Sequence, residues 1–444
     1  MKKLFILLSI LIISTLGYLI YHKFYQNYGV LIIETNPLKT TIELKSDFIQ
    51  NAFNIQNGFL KIKLKPGQYD LIISNPSYYK ETKTVNIKAG EITQLEPINL
   101  LPQNWINNNI VNNANIDFFI PNSQNNLFLY LSLVNKKYEW HLFNRANKED
   151  IKIYQSDNLP LRIFFTDDKR LLIQTKTLEW KILFTEKNLI NNANMGVNLI
   201  NIFLDAFKKQ QNIPKDFKII EVLPYKDNTV IFNTSDGIYL FNYITLNVNK
   251  IFDEPVQGLI IDGDNIYFIQ KNGLLTKENI SNNNFENISL FKFYNKNEDY
   301  NKIKLFKNKS DDFVIITPST NYLLLADAEE KVPRKLDFSF DKVAFNSNKK
   351  IILFFNSSNK TTILYDINQN QEKILSIEAD DLPHWFLAEN YLLFKVKNSL
   401  FLYDLNKNLQ YSIKDDIKNG IYYYDEKLNY IFYLDNEGIE MISY

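Results

Sequence analysis

Apolar residues recur at every second position along most of this chain, the spacing of strands that bury one face. "GVLIIETNP" opens the pattern at Gly29 and closes at Asn36-Pro37, since proline cannot donate to a central ladder. "TTIELK" is a second strand, and "FLKIKL" after Gly58 a third, with Leu60, Ile62 and Leu64 at period two. Pro66-Gly67 reads as a type II turn, with proline setting φ at the first corner and glycine taking positive φ at the next, so that Leu64 to Tyr69 forms a hairpin. "QYDLIISN", "TKTVNIK" and "AGEITQLEPINL" complete about six short strands, enough for a small β-sandwich over 29–100.

Beyond Leu101-Pro102 short strands recur to the last residue with a period of about 35 to 45, the spacing of four-stranded propeller blades. The clearest unit is "KVAFNSNKKIILFFNSSNKTTILYDINQNQEKILS" from Lys342, followed by "HWFLAENYLLFKVKNSLFLYDLNKNLQYSI" from His384. Leu364-Tyr365-Asp366 in the first matches Leu402-Tyr403-Asp404 in the second. Earlier units begin near Asn126, Arg170, Asn228, Asn265 and Asp312, and a short last one at Gly420 carries about three strands. The pattern predicts an all-β chain whose 104–444 region is a seven- (or eight-) bladed β-propeller, seven being favoured; the region resembles propellers of the WD40-like or quinoprotein-like class. "NWINNNIV" near Asn104 would supply the strand missing from the last unit.

Two segments break the period. In "GVNLINIFLDAFKKQQN", Val197, Ile200, Phe203, Leu204 and Phe207 fall at helical spacing, and Lys208-Lys209 suit a helix C-terminus. This predicts a helix between two blades, packed on one face or presented to a partner. At the N-terminus Lys2 and Lys3 precede "LFILLSILIISTLGYLIY", an uncharged run about 27 Å long as a helix, against a hydrocarbon core of roughly 30 Å. Residues 1–24 therefore read as a cytoplasmic tip and transmembrane signal anchor. A cleaved signal peptide would have a shorter apolar run and a better small-x-small site than Thr15-Leu16-Gly17.

Composition narrows the partners. The 444 residues carry 50 basic and 50 acidic side chains, so no strong field is available to hold nucleic acid. Aromatic residues reach 14%, which favours strands, and with only 12 Gly and 13 Pro the turns must rely on asparagine. Cysteine is absent, which excludes disulfides, thiolate metal sites, thiol nucleophiles and a lipid-modified cysteine.

The stretch from Gly29 to Leu100 resembles the PEGA domain, a small surface β-sandwich of bacteria and archaea. The resemblance rests on Gly29, Leu31, Ile33, Thr35, Pro37, Ile42, Leu64-Lys65-Pro66-Gly67-Gln68-Tyr69, Tyr78 or Tyr79, Val85, Ile87 and Gly90. Leu38-Lys39-Thr40 stand where the family name implies Glu, Gly and Ala. The resemblance implies a spacer or surface-associated binding unit without enzymatic activity.

Candidate chemistry is sparse. His384 follows Asp380 and Asp381 and precedes Trp385 in a loop between two units, a position from which propellers bind ligands; the same residues also suit a solvated turn. Asp262-Gly263-Asp264-Asn265 has oxygen ligands at a calcium-like spacing, but without a downstream Glu it reads as a hairpin turn. Adjacent carboxylates occur at Asp167-Asp168, Asp311-Asp312 and Asp415-Asp416, and neighbours in a loop point apart. No cofactor motif, metal site or catalytic constellation is read. The expectation is a single-pass bacterial cell-membrane protein, its bulk extracytoplasmic, that scaffolds or binds an envelope protein or a cell-wall glycan. The alternative is a surface glycan hydrolase with carboxylates at the propeller mouth.

Overall fold

The computed structural model describes residues 14–15, 28–46, 49–122, 126–165, 170–177, 179–184, 197–210, 212–226, 228–281, 284–290, 303–318, 320–326, 333–346, 350–387, 390–425 and 430–443. The described chain is all-β, with one α-helix. It divides into two compact units, one of 1–107 with 442–444 and the other of 108–441. The expected membrane segment lies outside the described residues apart from Ser14 and Thr15. Among the described residues no helix is long and apolar enough to cross a membrane.

The first unit holds β1 (Gly29–Asn36), β2 (Thr40–Ser46), β3 (Ile49–Ile55), β4 (Phe59–Leu64), β5 (Gly67–Ser74), β6 (Glu81–Ile87), β7 (Ile92–Gln94) and β8 (Ile98–Asn99). One sheet runs β4-β1-β7 with β8 also on β1, and the other runs β3-β2-β5-β6. Strict alternation in β1 buries Gly29, Leu31, Ile33 and Thr35 and turns the residues between them outward. Leu31 and Ile33 meet Ile42, Leu44, Leu71 and Ile73 of the other sheet in one apolar core.

Here the structure corrects the expected hairpin. Leu64 of β4 pairs with Gly29 of β1, whereas Gly67 of β5 pairs with Ile87 of β6, so the strands flanking Pro66-Gly67 lie in different sheets. Proline has no N–H with which to extend a ladder, and Gly67 takes φ 149°, a conformation L side chains rarely adopt. The dipeptide carries the chain from one sheet to the other.

The second unit is eight four-stranded sheets in chain order, spanning 116–156, 162–198, 219–252, 256–290, 304–336, 342–375, 384–414 and 422–443. In the first seven every strand pairs with the next in sequence; the eighth has three such strands and takes its fourth from β9 (Ile106–Asn112). The "NWINNNIV" segment thus completes the last sheet, and eight sheets form where the sequence pattern favoured seven units.

Successive sheets pack face to face. Shared apolar clusters join the first to the second, and so on to the seventh, through residues such as Leu129 with Leu171, Ile231 with Ile266 and Leu353 with Leu392. Phe386 of the seventh sheet lies 5.1 Å from Tyr424 of the eighth. Phe432 and Leu434 of the eighth pack on Phe119 and Phe128 of the first, so the order of packing returns to its start.

Asparagine and aspartate make the turns after third strands. The side chains of Asn144, Asn242, Asn279, Asp366 and Asp404 each accept a backbone N–H two residues on. Four residues after four of them stand Lys148, Leu246, Asn370 and Asn408, all at positive φ. The predicted helix is α1 (Leu199–Gln210), whose first turn is held by Asn198 accepting from the Asn201 amide at 3.2 Å. Phe203 and Phe207 are buried between the second and third sheets against Trp180, Phe232 and Tyr239, at roughly 1.5–3 kcal/mol per ring.

Candidate functional site

The first strand of each sheet has a polar or amphipathic residue near its start: Asp117, Arg162, Glu221, Gln257, Lys304, Lys342, His384 and Tyr422 stand at or within two residues of those starts. Because sheets pack in order, these starts come side by side. Arg162 Nη1 lies 3.4 Å from Glu221 Oε1, joining the second and third sheets. Lys342 Nζ lies 2.5 Å from Asp381 Oδ1, joining the sixth to the approach to the seventh. His384 sits edge-on to Tyr422 with 5.9 Å between ring centres, and Lys418 Nζ reaches Asp117 at 3.8 Å while donating to the carbonyls of Ala114 and Ile116.

Single exposed ion pairs contribute about 0–1 kcal/mol, so their main effect is on the charge the face presents. Asp117, Glu221, Asp380 and Asp381 each have a cation beside them, and the face offers these paired charges with hydroxyl and imidazole between them. Burial pushes the Glu221 carboxyl above the usual range, with Arg162 pulling the other way.

The four residues singled out from sequence separate into three roles. Asp380 bonds to Lys360 Nζ at 2.5 Å and takes the backbone amide of Lys397, which hold its carboxyl below the ordinary range. Asp381 turns instead to Lys342. Trp385 is buried, donates Nε1 to the Ala344 carbonyl at 3.3 Å, and belongs to the apolar contact between the sixth and seventh sheets. His384, like Asp381, opens to solvent. Yet protein walls its ring closely enough that desolvation disfavours the imidazolium and lowers its pKa, against the opposing pull of Asp381.

The remaining candidates are structural. Asp262 pairs with Asn265 across a two-residue turn in which Gly263 has φ 60°. The two carboxylates diverge, Asp262 to Lys307 at 2.6 Å and Asp264 to Lys226 and to the Tyr225 hydroxyl. Asp311 takes Lys307 while buried Asp312 accepts from Asn308 and the Ala326 amide. Asp167-Asp168 lies outside the described residues. Sequence reasoning passed over Arg162, Glu221, Lys342 and Lys418, which are ordinary strand and loop residues until the sheets place them together.

No family model matches the chain, and no curated protein matches it. Among solved structures, the computationally designed Ika8 protein is 11% identical at a TM-score of 0.42, over 76% of this chain and 97% of its own. A eukaryotic initiation factor is 11% identical at 0.45, over 89% of each chain. The extracellular domain of a putative one-component system from B. thetaiotaomicron is 13% identical at 0.35, over 76% of this chain and 40% of its own.

Proposed function

We propose that this chain is a single-pass envelope protein of the bacterial cell membrane, anchored by a transmembrane helix in 1–24. A PEGA-like β-sandwich over 29–100 is followed by an eight-bladed β-propeller, in the 104–444 region, carried outside the cytoplasm. Eight meandering sheets, packing that returns from the eighth to the first, and β9 completing the last sheet support the propeller reading. The sandwich reading is supported by two facing sheets around Leu31, Ile33, Leu71 and Ile73.

Its function is non-catalytic binding or scaffolding, with an envelope protein or a cell-wall glycan engaged at the face where the first strands begin. The observation that carries this is the pairing of acids with cations. Asp117, Glu221, Asp380 and Asp381 each lie against a lysine or arginine. A glycosidase needs one carboxyl free to donate a proton and another free to attack or activate water. Paired charges instead suit a surface that recognises polar groups and exchanges nothing.

Cross-linking in living cells followed by pull-down from envelope extracts tests it. A defined protein or wall fragment should co-purify with the wild-type chain and fall about tenfold when Arg162→Glu and Lys342→Glu are combined. Unchanged capture, or release of new sugar ends from isolated wall by the purified chain, would sink the reading.

A further inference from the structure

We propose that Glu278 is a proton-dependent lock on the contact between the third and fourth sheets: neutral, it occupies a slot that other sheets fill with an aromatic ring; ionised, it loosens that contact. The slot is defined by repetition. In the sheets whose third strand ends on a turn-making asparagine or aspartate, the residue just before it is Phe143, Phe241, Tyr365 or Tyr403, all buried against the preceding sheet. The fourth sheet has Glu278 there, before Asn279.

The carboxyl is buried as deeply as the rings it replaces, at 1% exposure, and its Oε2 has no hydrogen-bond partner. Glu278 pairs across the ladder with Ile266, a member of the apolar cluster between the two sheets, and Ile280 two residues on packs there as well. From the third sheet Leu240, Ile251 and Phe252 join the same cluster. Among the described residues, the titratable groups that bond across this contact are Tyr225, Lys226 and Asp264. They bond to one another, and none acts on Glu278.

An ionised carboxylate with a buried oxygen left unpartnered is strongly disfavoured in such a place, so the group holds its proton. Burial alone pushes its pKa up to about 7. Since this lies above the unfolded value, the acid's contribution is fully present below pH 4.5 and is lost as pH rises through 7. The effect is local to one contact in the second unit and does not depend on where the protein resides.

Hydrogen exchange by mass spectrometry on the full chain in detergent tests this, with rates corrected for intrinsic pH dependence. Peptides covering 229–242 and 265–279 should open roughly 30-fold more at pH 8 than at pH 5.5 in the wild type. Glu278→Gln should open equally at both, and Glu278→Phe should be protected at both. A wild-type profile flat with pH would overturn the proposal, as would a Glu278→Gln profile that keeps the wild-type dependence. The wild-type measurement decides even if a variant fails to fold.

Discussion

A Cβ placed on Gly438 would stand 1.8 Å from the carbonyl oxygen of Val111, on the strand β9 that completes the eighth sheet. Gly438 also has φ 151°, which L side chains rarely adopt. The last strand can therefore take on β9 only because this position lacks a side chain. Gly438→Ala should cost about 4 kcal/mol or more in denaturant unfolding, the range of a severe backbone conflict. Gly67→Ala, at φ 149° but in open space, should cost about 1–2 kcal/mol. Equal losses would mean that β9 is not needed to complete the eighth sheet.

The Leu-Tyr-Asp repeat is likewise a structural device. Tyr365 donates its hydroxyl to Asn370 Oδ1 at 2.5 Å, and Tyr403 does the same to Asn408 at 3.2 Å. Asn370 sits at φ 53° and also accepts from Arg334. Replacing it with glycine keeps the left-handed backbone and loses the bonds, for about 1 kcal/mol; alanine loses both, for about 2. Thermal unfolding of the two variants should rank them in that order, and the reverse ranking would remove positive φ from the explanation.

Trp385 and His384 are neighbours with opposite roles. Trp385→Ala empties a buried site and should destabilise by about 3–5 kcal/mol, while His384→Ala should stay within about 0.5. If binding is then measured, only the His384 variant can report on the face without a folding defect. Comparable destabilisation of both would show that His384 is part of the core.

The enclosed ring of His384 has a pH signature. Its pKa is lowered in the folded chain, so the stability tied to the neutral ring is present above the usual 6.5 and is lost as pH falls from there through the folded value. The chain has three histidines, which makes NMR with labelled histidine tractable. The resonance lost in His384→Gln should titrate below the ordinary range. Titration at or above 6.5 would mean that the ring is not enclosed.

What the sequence made legible follows from how local each cause is. Alternation of Leu31 and Ile33, the helical spacing of Phe203 and Phe207, and asparagine or aspartate at the turns act within a few residues, and each marks its element directly. The sheet change at Pro66-Gly67 does not, because the ladders of Leu64 with Gly29 and Gly67 with Ile87 are decided by distant partners. Eight was one of the two counts the pattern allowed, and the segment that completes the last three strands, β9, was legible more than 300 residues earlier; only the preference for seven did not hold. At the candidate face, His384 and Asp381 stood out as a charged cluster beside a tryptophan. Arg162 and Glu221 lie 59 positions apart and become partners only when two sheets pack.

The central claim is that the second unit is carried outside the cytoplasm on an N-terminal anchor. Protease added to spheroplasts expressing the chain with a C-terminal tag measures this directly, with a cytoplasmic protein as the control for lysis. The account predicts that the tagged chain fractionates with membranes and that its tag is lost in intact spheroplasts while the control survives. Full protection of the tag, together with recovery of the chain in the soluble fraction, would contradict it.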